Sequence, residues 1–149
     1  MDEQTIARVY LLESTPEKVV IQIPSTNYQL HLRCPAEPEV SPQGRVRGII
    51  HCNVWKVDLV SPGGAYIEPI YGRPRRVQGR VIGHVDGSNA LVVSIRGCPI
   101  VADLTDHWVA KEIPTGTLVG LDVYEGASFE PKPLALAGAA AAAPPTVPA

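Results

Sequence analysis

The feature that most constrains this chain is its likeness to itself. Laid against its own sequence at an offset of 72 residues without a gap, Arg8-Val9 falls on Arg80-Val81, Val20 on Val92, Ile23 on Ile95 and Leu32 on Leu104. Pro42, Gly44 and Gly48 fall on Pro114, Gly116 and Gly120, so a shared Pro-x-Gly-x-x-x-Gly keeps its internal spacing. Conservative matches such as Ile21 with Val93 fill the intervening runs. A fixed offset of this kind is the mark of a repeated supersecondary unit, and it predicts tandem duplication.

Each unit reads as strands. Helical periodicity is nearly absent, and short runs rich in Val, Ile, Leu and Thr are punctuated by Pro and Gly over residues 7–12, 19–23, 28–32, 46–59, 65–70, 77–85, 91–95, 99–104 and 118–124. Tyr28, Leu30 and Leu32 alternate with Gln29 and His31, as a half-buried strand requires. Turn residues lie where hairpins need them, at Ser14-Thr15-Pro16-Glu17 and Asp86-Gly87-Ser88-Asn89. In the second unit Thr105 is placed to cap a short helix that Pro114 would end, whereas Pro38 keeps the matching stretch of the first unit extended. Gly48 and Gly120, inside strands, predict bends or bulges.

Residues 134–149 read LALAGAAAAAPPTVPA, with no charge and a Pro-Pro break, and residues 132–149 are expected to form a disordered tail. The expected division is a β module over 1–70, a basic linker over 71–76, a second β module over 77–131 and that tail. No stretch is long and apolar enough to span a membrane, and Asp2-Glu3 stand where a signal peptide carries basic residues. Three cysteines without paired spacing suit free thiols in a reducing compartment, which gives a cytoplasmic expectation.

Three strands, an optional helix and two further strands is the order of a five-stranded OB-type barrel. On that order the chain resembles tandem OB-fold-like barrel modules. The resemblance implies an all-β architecture of two duplicated small five-stranded barrels, a short helix being allowed in the second, and it carries no binding residues with it.

Net charge is -2, so any electrostatic function must come from local clustering. Residues 73–96 hold five Arg against the single acid Asp86. The candidate binding residues are Tyr71, Arg73, Arg75, Arg76 and Arg80, since arginine suits phosphate and a tyrosine can stack on a base. Gly72-Arg73-Pro74 resembles the Gly-Arg-Pro core of AT-hook peptides. The favoured reading of the island is nevertheless a linker whose arginines pair with acidic side chains.

His31, Cys34, His51 and Cys52 have zinc-like spacing in part, but adjacent strand residues point to opposite faces, so no metal site is expected. Asp103, Asp106 and His107, and the nucleophile candidates Ser94 and Cys98, lack the flanking signatures of a catalytic centre. Trp55 and Trp108 are expected to fill barrel ends or the seam between modules. The sequence therefore predicts no enzyme and no cofactor, but a non-catalytic adaptor that engages a protein partner or its own copies. A nucleic-acid binder using the 73–80 island is the alternative.

Overall fold

The computed structural model describes residues 3–134. Of the expected tail, residues 135–149 lie outside the described residues, while Lys132 is still part of a strand. The molecule is predominantly β, one mixed sheet of eleven strands. These are β1 (Ala7–Thr15), β2 (Lys18–Gln22), β3 (Gln29–Arg33), β4 (Arg45–Leu59), β5 (Tyr66–Glu68), β6 (Tyr71–Gly72), β7 (Arg76–His84), β8 (Ala90–Ile95), β9 (Cys98–Leu104), β10 (Leu118–Val123) and β11 (Ser128–Lys132).

The pairings close into two circuits. One runs β1-β2-β3-β11-β4 and returns to β1; the other runs β7-β8-β9-β4-β10 and returns to β7. Both contain β4, which is long enough at 15 residues to serve each with a different half. Its first half pairs β1 and β11 through Val46↔Val9 and Ile50↔Phe129, and its second half pairs β9 and β10 through Cys52↔Ala102 and Val57↔Leu121. The circuits close through the parallel contacts β4 with β9 and β11 with β3, the latter at Ser128↔Arg33. Strands from the 1–70 segment and the 77–131 segment are thus hydrogen-bonded to one another along the centre of the sheet.

Alternation decides which side chains fill the interior. Val9, Ile21, Leu30, Leu32, Val46 and Ile50 from the first circuit, and Val77, Val93, Ile95, Ile100 and Leu121 from the second, belong to one continuous buried cluster. Gly44 and Gly116, each just before the strand that follows the Pro-x-Gly, have φ of 81° and 97°, the left-handed conformation that a side chain resists.

Two local expectations change. The helix expected after Thr105 is a turn followed by one 3-10 turn at Ala110–Glu112, and no α-helix occurs among the described residues. Asn89 holds this segment, donating to the Trp108 carbonyl at 2.8 Å and accepting from the Ala110 N–H at 2.7 Å, so side-chain bonds replace a helical ladder. Gly48 and Gly120 are not bulges. A Cβ at Gly48 would collide with the Phe129 ring, and one at Gly120 with the Arg76 guanidinium, so both are sites of close approach. No helix among the described residues is long and apolar enough to cross a membrane.

Candidate functional site

The outer face of β7, β10 and β4 is where the basic segment lies. Val77 and Val81 face the core and Arg76, Gln78 and Arg80 alternate outward. Arg76 stands opposite Asp122 on β10, and Gly120, two residues along, stands between Gln78 and Asp58. Because Gly120 has no side chain, the Arg76 guanidinium lies across it and bonds both Asp122 and Asp58, each at 3.0 Å from Nη1. Tyr66, Asp122 and Asp58 all favour its charged form, raising its pKa against the opposing effect of burial. Arg76 is therefore a structural cation, joining β7, β10 and β4.

One register slip then shapes the surface. On β4, Lys56 pairs Asp122 while Val54 pairs Val123, leaving Trp55 as the extra residue of a bulge. Trp55 already follows His51 and Asn53 on the outward face, and the bulge adds Lys56 to that face; Trp55 is 47 % exposed beside Tyr124 at 49 %, with ring centroids 6.4 Å apart and planes tilted by 48°. The expectation that both tryptophans are filling holds for Trp108, which packs on the core, and fails for Trp55, because Trp55 continues the outward series of His51 and Asn53 on β4.

Arg73 and Arg75 border the same feature. The Arg75 backbone is anchored on both sides, its N–H donating to the Glu68 carbonyl at 2.8 Å and its carbonyl accepting from the Val123 N–H at 2.9 Å. Pro74 is buried between the two arginines, and both arginines are exposed. Among the described residues neither side chain makes a hydrogen bond or ion pair. Trp55, Pro69, Arg73, Arg75 and Asp122 line a cleft of about 670 Å³. Tyr71 points elsewhere, its ring edge-on to His31 at 4.6 Å, and Arg80 donates to the Gly116 carbonyl at 2.9 Å. The structure brings together three of the five sequence candidates and separates the other two.

Trp55 and Tyr124 are the residues that sequence reasoning missed. Their signal was the alternation itself: Ile50, Cys52 and Val54 are buried at even positions and Leu121 and Val123 at odd ones, which leaves Trp55 and Tyr124 on the outward face, and only past Trp55 does the phase slip, with Val57 buried. A charged Lys56 where the next core residue would fall marks that slip.

The remaining chemical candidates lie apart. Cys52 points into the core, its thiol pushed up to about 12 by burial, and Cys98 is likewise raised to about 12, so both are protonated at neutral pH. Cys34 donates to the Ala36 carbonyl at 3.0 Å. His51 faces the other way from Cys52, with Nε2 2.8 Å from Glu130 and Nδ1 3.9 Å from Asp103, and it joins β4, β11 and β9. Asp103 and Glu130 raise the imidazole pKa, while burial lowers it. Comparison with known proteins finds no matching family model, curated protein or solved structure.

Proposed function

We propose that this chain is a non-catalytic cytoplasmic adaptor whose two circuits are OB-like barrels, duplicated and exchanging one strand, and which docks a protein partner on the Trp55 cleft. The observation that carries the reading is an exposed Trp55, beside Tyr124, on a cleft that the unengaged Arg73 and Arg75 also line. Tryptophan, tyrosine and arginine are the residues that dominate binding energy at protein interfaces, where each combines a large apolar area with a directed polar contact. The barrel and duplication readings draw support from the two five-membered circuits and from the equivalent placement of residues 72 apart, Val20 in β2 and Val92 in β8 among them. Three free thiols suit a reducing compartment.

The same aromatic pair favours a second reading, stacking of nucleic-acid bases with Arg73 and Arg75 on phosphate. Charge weighs against it. Arg76 is neutralised by two carboxylates, Arg80 is spent on a carbonyl elsewhere, and Glu68 and Asp122 line the cleft.

The test has two arms. A photo-crosslinking side chain at Tyr124, introduced in cells, should yield a protein adduct of defined mass that Trp55→Ala abolishes; no adduct, or one indifferent to Trp55, refutes the docking face. Titration of labelled single- and double-stranded oligonucleotides at two salt concentrations should give no binding at physiological salt. Salt-sensitive micromolar binding, lost in Arg73→Ala/Arg75→Ala, would replace the adaptor reading with the nucleic-acid one.

A further inference from the structure

A second region of the molecule carries strain that its turn chemistry does not need. Ser25 and Arg96 are the described non-glycine residues with left-handed backbone, at φ of 64° and 54°. Arg96-Gly97 is the two-residue loop between Ile95 and Cys98, and Gly97 has φ of 84°. Positive φ at both central positions is the pattern that selects Asn or Asp followed by Gly, because their short side chains tolerate it. A long arginine is the wrong residue for the turn. At offset 72, Pro24-Ser25 falls on Arg96-Gly97, so the two strained residues sit in corresponding turns, β2 to β3 and β8 to β9.

These turns border common space. Ser25 and Arg96 both line a cleft of about 540 Å³ with Asn27, Tyr28 and Ile70, and both line an adjoining one of about 280 Å³ that Arg8 also borders. No carboxylate lines either cleft among the described residues. The polar groups that shape the turn are already used: Thr26 Oγ1 donates to the Ile23 carbonyl at 2.7 Å and accepts from the Tyr28 N–H at 3.1 Å, and Gln22 donates to the Thr26 carbonyl at 2.8 Å. Ser25, Asn27 and Arg96 make no side-chain hydrogen bond or ion pair among the described residues. Three exposed residues bearing a hydroxyl, an amide and a guanidinium thus border one open space, and Tyr28 and the exposed Ile70 give it an apolar wall.

We propose that this pair of clefts is a binding site for a phosphate group, with Arg96 as its principal ligand and Ser25 and Asn27 as neutral donors. A tetrahedral dianion offers several acceptor oxygens, which matches a forked guanidinium beside two short donors, and the strained backbone persists because it aims those donors. The group arrives as free phosphate or as a monoester whose organic part lies on Tyr28 and Ile70. The site is separate from the Trp55 cleft and does not depend on what binds there.

The test compares the full chain with Arg96→Asn, which gives the turn its preferred residue and removes the guanidinium. Thermal unfolding is followed in sodium phosphate and in sodium chloride of equal ionic strength, with phenyl phosphate and benzoate as further probes. Without phosphate the variant should melt roughly 2–5 °C higher. Phosphate should raise the midpoint of the parent chain above that in chloride, and this increment should shrink in Arg96→Asn to the general effect of an excluded salt. Phosphorus line broadening in the presence of the parent chain, lost in the variant, reads binding without reference to stability. Tighter phenyl phosphate identifies a monoester, and equal affinities identify free phosphate. The proposal is overturned if Arg96→Asn keeps the phosphate increment, if it melts no higher than the parent, or if benzoate matches phenyl phosphate.

Discussion

Replacing Gly48 by alanine tests whether the central pairing of β4 with β11 is as close as described. A Cβ there would lie 2.5 Å from the Glu130 carbonyl oxygen and against the ring of Phe129, which is 1 % exposed and among the largest fully buried side chains. Overpacking of this kind costs about 1–3 kcal/mol. Removing a glycine from a strand interior recovers about 0.5–1 kcal/mol through the unfolded chain. The net expectation is a loss of roughly 1–2 kcal/mol, or about 3–8 °C in midpoint for a domain of this size. Phe129→Leu alone should also destabilise, by less than the roughly 3–5 kcal/mol of a phenylalanine truncated to alanine. In the double variant the smaller side chain frees space for the new methyl group, so the two losses should fall short of their sum by about 0.5–1.5 kcal/mol. The residual cost is the carbonyl oxygen of Glu130, which no side-chain change moves. Urea unfolding at constant m-value measures all four corners of the cycle. Additivity within about 0.5 kcal/mol, or a stabilising Gly48→Ala, would refute the close approach.

Two further outcomes are expected. Arg76→Met leaves Asp58 and Asp122 facing each other without their shared cation and should cost about 1–3 kcal/mol by urea unfolding, with part of the loss restored by adding Asp122→Asn; a loss unchanged by the second substitution contradicts the bridging role. The His51 pKa is raised in the folded state, so its stabilising contact is fully present below the ordinary imidazole value of about 6.5 and is lost as pH rises through the folded one, whereas the Glu130 pKa is lowered by Lys132 and His51, so its contribution is lost as pH falls through the depressed value. Stability followed from pH 5 to 9 should therefore decline modestly on the alkaline side, by no more than about 1 kcal/mol for a partly exposed pair, and His51→Gln should remove that decline.

The strands were legible because their information is local. Val77 lies between Arg76 and Gln78 and Val81 follows Arg80, and Asp86-Gly87 announces a hairpin without reference to the rest of the chain. Which strands meet was not legible. Nothing in Ser128 or Phe129 distinguishes a partner in its own segment from His51 and Ile50, nearly eighty residues earlier, since both choices bury the Phe129 ring. Pairing of the island's arginines with acids was expected and holds for Arg76, but which acids it meets was hidden for the same reason. Asp58 is reached only because Gly120 is empty at the crossing, a three-strand coincidence that no single run of sequence contains. Trp55 failed differently: the alternation through Ile50, Cys52 and Val54 already put it on the outward face, and the size of an indole outweighed that phase in the expectation.

The sharing of β4 has a consequence for synthesis on the ribosome. The circuit begun by β1, β2 and β3 lacks its closing member until β11 has been made, 73 residues after β4 ends at Leu59. At about 5–20 residues per second that wait is roughly 4–15 s, during which the open flanks of β3 and β4 present unpaired backbone and the apolar surface of Leu30, Leu32 and Ile50. Shielding of those strand edges should therefore raise the yield of folded chain. Translation slowed between residues 60 and 128 should lower its yield far more than the same delay placed before β1.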